Sequence, residues 1–430
     1  MRRQQIGIPD RLATWFRRVG PGPMPRDTRL LFVTRGVRLF SYGFLSVVLV
    51  LYLAKVGLSG PQIGTLLSLT LFGDTLISLW LTTSADRLGR KWTLLIGAAL
   101  MLFAGALFAS TSSFVLLVVA ATLGVLSPSG NEVGPFLSVE EAAIAETVPS
   151  ERRIDVFAWY NLVGNFATAI GALAGGGLTQ VLQSTGVAQL SSYRFVLLAY
   201  AGMGLLLGLI FTRLSPAVEV RTGASGVVAG ARTLGLHKSR RVVFALAGWF
   251  MLDAFGGGFI VQSIVAYWFH VRFGASPAVL GAIFFGANLM AALSALVAAR
   301  VAARIGLLNT MVFTHLPSNL LLVLVPFMPT LPLAVGVLLL RFSMSQMDVP
   351  PRQAYIMALV SPDERSAASG VARAARTAGA ALSPLVAGPL LGMPAALGLI
   401  FVIGGGLKVI HDIGLYFRFR SVRLLEEARK

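Results

Sequence analysis

The stretch that indicates the fold reads PQIGTLLSLTLFGDTLISLWLTTSADRLGRKWTLLIGAALMLFAGALFAS over residues 61–110. Two apolar runs, at 61–84 and 93–110, flank a short turn that contains three basic residues. Each run has close to the roughly 20 residues that a helix needs to cross a bilayer. We therefore predict two membrane-spanning helices joined by a charged loop.

The same pattern extends over the whole chain of 430 residues, of which 56% are hydrophobic and only 13% are charged. A typical soluble protein has roughly 25% charged residues. Twelve apolar runs, here called spans 1 to 12, lie at about 30–54, 61–84, 93–110, 114–144, 155–182, 193–213, 242–271, 277–299, 307–328, 331–357, 366–391 and 393–417. We predict an all-α polytopic membrane protein with a basic segment at 1–29, six-helix bundles at 30–213 and 242–417, a linker at 214–241 and a tail at 418–430.

The net charge of +18 arises mainly from basic residues in the tails and loops. Of the 36 lysines and arginines, 26 lie in the tails and in the loops on one side, whereas the other side has only Lys55, Arg194 and Arg272. By the positive-inside rule this asymmetry places both termini in the cytoplasm, and it favours a bilayer rather than nucleic acid as the partner. We expect a bacterial inner membrane and a monomer.

Other residue types exclude several kinds of site. The chain has no cysteine, which excludes disulfides and thiolate metal ligands. Its four histidines are widely separated and are interpreted as packing or helix-end residues, so we expect no metal site and no cofactor. No nucleophile–base pattern indicates an enzyme.

The two halves of the chain repeat each other at an offset near 215 residues. The matching positions are Gly64, Arg87 and Gly89 with Gly281, Arg304 and Gly306, and Gly43 and Tyr52 with Gly258 and Tyr267. We interpret them as the trace of a duplicated six-helix unit, an architecture in which transporters bind their substrate between the repeats.

The loop segment Asp86-Arg87-Leu88-Gly89-Arg90-Lys91 resembles the D-R-x-G-R-K signature of the major facilitator superfamily. The resemblance implies two six-helix domains that rock about a cavity lined mainly by spans 1, 4, 7 and 10. It also implies a gating role for this loop, with Asp86 as a latch; the predicted gating residues are Asp86, Arg87, Gly89, Arg90 and Arg373. Thr82 stands where the family usually has a glycine, and span 5 has Ala172 where drug:proton antiporters have a proline.

Charged side chains inside the spans are the best candidates for function, because charge in the hydrocarbon is costly and needs an interior partner. The predicted substrate-binding residues are Arg38, Tyr42, Glu132, Asn165, Asp253, Arg341, Asp348, Arg352 and Arg376. Span 10 places Arg341, Asp348 and Arg352 on one face, which fits either a cavity lining or a self-neutralising ladder. Prolines and glycines in spans 4 and 10 predict broken helices that expose backbone groups.

Proton coupling is assigned to Asp74, Glu132 and Asp253, because a carboxylate within the membrane is a possible proton carrier. Arg38 and Asp253 occupy equivalent places in the repeat, and we hypothesise that they pair or compete for substrate as the domains move.

These observations predict a secondary active transporter that moves a small organic solute by alternating access, with proton-coupled export as the leading hypothesis. Four arginines would also suit uptake or exchange of an organic anion, and the acids would suit a lipophilic cation. A channel or receptor on the same scaffold is the alternative of another class.

Overall fold

The computed structural model describes residues 24–219, 236–237 and 239–422, without the side chains of Asp86 and Ile154. Its helices are α1 Arg26–Ser46, α2 Leu49–Val56, α3 Gly60–Leu88, α4 Arg90–Ser110, α5 Phe114–Leu123, α6 Phe136–Thr147, α7 Arg153–Ser184, α8 Gln189–Phe211, α9 Arg240–Gly258, α10 Gln262–Phe273, α11 Pro277–Ile305, α12 Leu307–Leu324, α13 Leu331–Phe342, α14 Val349–Leu359, α15 Arg365–Leu391 and α16 Leu399–Phe419.

These sixteen helices form the twelve spans of the described chain, because spans 1, 4, 7 and 10 each consist of two helices. In span 1, α1 and α2 bend by 44°. Residues 124–135 separate α5 from α6 in span 4, and residues 343–348 separate α13 from α14 in span 10. The predicted breaks in spans 4 and 10 are confirmed. The repeat makes span 1 equivalent to span 7 and span 4 equivalent to span 10, so the four broken spans form two equivalent pairs.

Within each half, a glycine brings two helices into close contact at the same position of the repeat. An added Cβ at Gly43 of α1 would collide with the backbone of Thr168 on α7. An added Cβ at Gly258 of α9 would lie 2.5 Å from the Cβ of Ser383 on α15. Both pairs are related by 215 positions, so the sequence repeat is a repeat of packing as well.

The two halves cross each other at the end of the spans far from the chain termini, here called the distal end. A Cβ on Gly64 of α3 would lie 2.7 Å from the Cα of Gly388 on α15. A Cβ on Gly176 of α7 would lie 2.8 Å from the Cα of Gly281 on α11. Small residues allow helix backbones to approach this closely in a membrane. The distal end is therefore closed by two symmetry-related glycine crossings.

Two hydrogen bonds also join the halves nearer the middle of the spans. Gln262 of α10 donates its side-chain amide to Ser46 Oγ at 2.7 Å. The backbone N–H of Ser263 donates to the carbonyl of Pro128, in the break of span 4, at 3.1 Å.

The outer surface of the bundle is apolar. Large hydrophobic side chains such as Leu76, Trp80, Val115 and Phe417 are exposed on it. In water such a surface would associate, whereas in a bilayer it faces lipid tails.

Candidate functional site

The break in span 4 is built on two glycines. Gly130 and Gly134 have φ of +73° and +81°, a left-handed conformation that residues with a Cβ rarely adopt. The backbone N–H of Gly134 donates to Asp74 Oδ1 of α3 at 2.6 Å. Asp74, predicted to be a proton carrier, therefore accepts a hydrogen bond from backbone that the helix break leaves free.

Arg38 of α1 is the centre of a buried cluster in the N-terminal half. Its Nε donates to Glu132 Oε1 at 2.8 Å. Its Nη1 and Nη2 donate to the two carboxylate oxygens of Glu140 on α6 at 2.8 and 2.7 Å. The guanidinium has 0% exposure and also stacks over Phe136, 4.6 Å from the ring centroid. It is a fully desolvated charge with two acidic partners.

Further groups complete this cluster. Arg35 pairs with Glu132 and donates to Asn161 Oδ1 at 3.2 Å. Tyr160 and Thr34 both donate hydroxyl hydrogen bonds to Glu140. Two arginines face two glutamates here, so the cluster is formally neutral. Glu132 keeps 16% exposure and is the acid of this cluster that solvent reaches.

Two other predicted substrate-binding residues in this half lie near the same cluster. Tyr42 is buried and donates to the carbonyl of Val133 in the break of span 4, at 3.1 Å. Asn165 is exposed one helical turn after Asn161 on α7. The exposed amides of Asn161 and Asn165 therefore extend the polar face that begins at Arg35.

Asp253 of α9 is the centre of the cluster in the C-terminal half. Its Oδ1 accepts from Lys408 Nζ at 2.5 Å, and its Oδ2 accepts from Arg376 Nη1 at 2.8 Å. Arg352 Nη1 lies 3.7 Å from the same Oδ2. Arg376 is 32% exposed, so one of the cations on this buried carboxylate is accessible to solvent.

Behind Asp253, a second carboxylate is surrounded by imidazole and amide groups. His315 Nδ1 of α12 lies 2.9 Å from Asp412 Oδ1 on α16, and His411 Nδ1 lies 3.0 Å from the same oxygen. Asn319 donates to Asp412 Oδ2 at 2.8 Å. The interpretation of the histidines as isolated packing residues is wrong for His315 and His411, because the tertiary fold brings these two rings together.

Span 10 divides its charges at the helix break. Arg352 pairs with Asp348 at 2.7 Å, one turn apart at the start of α14. Arg341 is at the end of α13, is only 8% exposed, and stacks over Phe342 at 4.6 Å. Its Nε has no hydrogen-bond partner, and it forms no ion pair within the described residues. The ladder hypothesis is therefore wrong for Arg341.

The hypothesis of a direct pair between Arg38 and Asp253 also fails in this conformation. Arg38 is bound by Glu132 and Glu140 of its own half, and Asp253 by Lys408 and Arg376 of its own half. The repeat correctly places both charges at equivalent positions, but each is neutralised locally. The pattern of charges in the sequence did not identify Lys408, His315 or Tyr160 as cluster members.

The loop after span 2 contains the predicted gating residues. Gly89 has φ of +93° and ends α3. Arg90 pairs with Glu146 at 3.0 Å, and its backbone N–H donates to Glu219 Oε2 at 2.7 Å. These contacts hold the loop to α6 of the N-terminal half and to the first part of the linker. Arg87 and Arg373 are exposed, and the side chain of Asp86 lies outside the described part, so the gating roles stay predictions.

Comparison with known proteins shows the family. The model of the Major Facilitator Superfamily matches residues 31–384. The chain belongs to this family. An uncharacterized membrane protein of Saccharomyces cerevisiae, YJR124C, is 32% identical over 425 residues, which cover 92% of this chain and 95% of the yeast protein.

Two further similarities are more distant. The quinolone resistance protein NorA of Staphylococcus aureus is 27% identical over 139 residues, 32% of this chain and 34% of NorA. A mutant form of the nucleoside transporter NupG has the same fold, with a TM-score of 0.74 at 15% identity, over 91% of this chain and 99% of that structure. The predicted fold of two six-helix bundles is confirmed, and the chain is a multi-pass membrane transporter rather than an enzyme.

Proposed function

We propose that the chain is a secondary active transporter that moves a small organic anion by alternating access between its two halves. The observation that supports this proposal is Arg341, a buried guanidinium without an acidic partner in the described chain. The acids whose charges act on it, Asp253 and Asp348, already pair with other cations.

The formal charges of the two clusters also support an anionic substrate. The N-terminal cluster is balanced, with two arginines and two glutamates. The C-terminal cluster holds four basic side chains and three carboxylates, with the histidines taken as neutral; they are Arg341, Arg352, Arg376, Lys408, Asp253, Asp348 and Asp412. An uncompensated charge inside a membrane protein is costly, and an anionic substrate would supply the missing countercharge.

Guanidinium groups suit this role. Their planar donors match the geometry of carboxylate, phosphate or sulfonate groups. Arg376 is the accessible arginine of the cluster and Arg341 the unpaired one, so we assign to them the recognition of the anionic group. The half-buried rings of Phe255 and Tyr267 on span 7 supply apolar surface for an organic substituent.

Thermal stability of the purified protein tests this assignment. The compounds are benzenesulfonate, phenyl phosphate, tetraphenylphosphonium, ethidium and uridine. A compound present at ten times its Kd stabilises the folded state by about 1.4 kcal/mol. We expect stabilisation by the first two compounds and its loss in Arg341→Gln. Arg272→Gln removes an exposed arginine at the distal end and is the matched control. Stabilisation by the cations, lost in Asp253→Asn, would refute an anionic substrate.

Proton-coupled export of a drug-like cation is the second candidate. The match to NorA supports it, as does Asp74, an acid within the membrane that forms no ion pair in the described chain. For this candidate, we expect Asp74→Asn to abolish export of ethidium from cells while stabilisation by benzenesulfonate stays absent.

We also propose that both termini face the cytoplasm, because the basic residues concentrate in the tails and in the loops on the side of the termini. The distal end would then face outward, and the conformation described here would be closed to the outside. A bacterial inner membrane stays a prediction; the yeast relative is a membrane protein of a eukaryote.

A further inference from the structure

His315 joins two carboxylates that belong to different helices. Its ring is buried, with Nδ1 2.9 Å from Asp412 Oδ1 and Nε2 3.9 Å from Asp253 Oδ1. Asp412 is fully buried, and its bonds within the described chain are to His315, His411 and Asn319. Its negative charge is thus met by groups that are neutral unless a proton binds.

The hydrogen bond to Asp412 decides which ring nitrogen of His315 is open. An ionised carboxylate only accepts hydrogen bonds, so Nδ1 holds the proton in the neutral ring and donates it to Asp412, while the amide of Asn319, 3.1 Å from the same Nδ1, donates to Asp412 Oδ2 at 2.8 Å. Nε2 is then unprotonated, and its lone pair faces Asp253 Oδ1. A second proton on the ring would sit at Nε2 and point toward Asp253.

Charged and titratable groups surround this imidazole on every packed element. They are Lys408, His411 and Asp412 on α16, Asp253 on α9, Arg341, Asp348 and Arg352 on span 10, and Arg376 on α15. With neutral histidines these groups have one excess positive charge; a proton on His315 raises the excess to two.

A metal ion is a poorer occupant than a proton. Asp253, His315 and His411 each offer one ligand atom, and the three atoms lie within 4.8 Å of one another. However, Lys408 and Arg376 are bound to the same Asp253. A divalent cation would have to displace them or lie beside them, whereas a proton needs only the lone pair of Nε2.

We propose that His315 is the proton-binding residue of the transporter and that its proton moves in the same direction as an organic anion. This inference rests on the proposed function. The proton comes from water in the cavity while it is open to one side, binds His315 Nε2, and is released from Nε2 to water after the cavity opens to the other side. No covalent bond other than this N–H forms or breaks.

The coupling follows from competition at Asp253. The protonated Nε2 donates to Oδ1, the oxygen that Lys408 already holds. The carboxylate then shares its single charge with one more cation, which weakens its attraction for Arg376 at Oδ2. Arg376 is exposed enough to turn to an anion in the cavity. Protonation therefore promotes anion binding, and a bound anion holds the proton in place.

Proteoliposomes with labelled benzenesulfonate test the inference, because this anion stays ionised and carries no proton of its own. Exchange of labelled for unlabelled anion at equal pH needs no net proton movement. A gradient of one pH unit supports about tenfold accumulation if one proton accompanies each anion. We expect wild type to show both activities. His315→Gln keeps the hydrogen bond to Asp412 but binds no proton, so we expect a weaker apparent affinity for the anion, exchange that persists at saturating anion, and no accumulation.

The controls separate this inference from the proposed function. His270→Gln removes a histidine that contacts the carbonyl of Ala275, far from the cluster in sequence, and should keep both activities. A wild type that neither exchanges nor accumulates the anion refutes the proposed function and the inference together. A wild type that exchanges but never responds to the pH gradient, or a His315→Gln variant that accumulates normally, refutes the inference alone.

A further variant covers the case in which His315→Gln loses exchange as well. Asp412→Asn leaves the imidazole in place but removes the negative charge beside it that favours the protonated ring, so accumulation should fall by more than exchange does. Full accumulation in Asp412→Asn would overturn the proton-binding role.

Discussion

Arg38 and Glu140 form a buried ion pair, and we expect the removal of either partner alone to destabilise the protein more than the removal of both would suggest. Arg38 makes four charge-assisted hydrogen bonds to two glutamates, and neither Arg38 nor Glu140 has any exposed side-chain surface. Removing one partner of a buried pair costs about 3–5 kcal/mol, because the other charge remains buried without compensation. We expect Arg38→Gln to lower the free energy of unfolding by an amount in this range.

Glu140→Gln should cost somewhat less, about 2–4 kcal/mol, since its amide oxygen still accepts one of the two hydroxyls of Tyr160 and Thr34 while Arg38 keeps Glu132. The double variant restores neutrality, because Arg35 and Glu132 remain paired. Its cost should therefore be smaller than the sum of the two single costs by about 2 kcal/mol.

Reversible unfolding in mixed detergent micelles, with sodium dodecyl sulfate as the denaturant and helicity as the signal, measures these free energies. Arg90 and Glu146 provide the control, because Glu146 is 35% exposed and the coupling between the two residues in the same double-variant comparison should be less than about 1 kcal/mol. If the costs of Arg38→Gln and Glu140→Gln add to within about 0.5 kcal/mol in the double variant, the two charges do not interact and the reasoning is refuted.

Two more predictions concern glycines. Gly388→Leu should open the distal end, because a Cβ there would already lie 2.8 Å from the Cα of Gly64. In this naturally cysteine-free chain, a Ser263→Cys reporter should then react with an impermeant maleimide. Gly177→Leu is the control, because a Cβ at Gly177 would have no atom within 4 Å. Equal labelling of the reporter in the two variants would contradict the prediction. Gly89→Ala should destabilise the protein by about 1–3 kcal/mol in the detergent unfolding assay, because φ there is +93°; an unchanged unfolding curve would contradict it.

The amino-acid sequence determined the architecture because hydropathy is a local property. Long apolar runs require helices in a bilayer, since their backbone groups find no water to bond. The glycines and prolines of spans 4 and 10 correctly predicted where helices break, because their backbone restrictions act within a few residues. The offset near 215 also predicted equivalent packing, as the contacts of Gly43 and Gly258 demonstrate.

The partners of the buried charges were decided by the tertiary structure. Arg38 and Asp253 are equivalent in the repeat, and the sequence suggested that they meet, but each is bound within its own half. Which carboxylate lies nearest to a guanidinium depends on helix rotation and crossing, and these depend on packing along the whole bundle. A span of apolar residues with a few charges does not encode that information locally.

The imidazole cluster illustrates the same limit. His315 and Asp412 are 97 residues apart in the chain, yet their side chains share a hydrogen bond. The sequence determined that this protein is a polytopic membrane transporter of two repeated bundles, because burial in lipid constrains every span separately. Only the tertiary structure decided that His315 lies between two carboxylates and that Arg341 lacks one, because those facts depend on how the spans pack against each other.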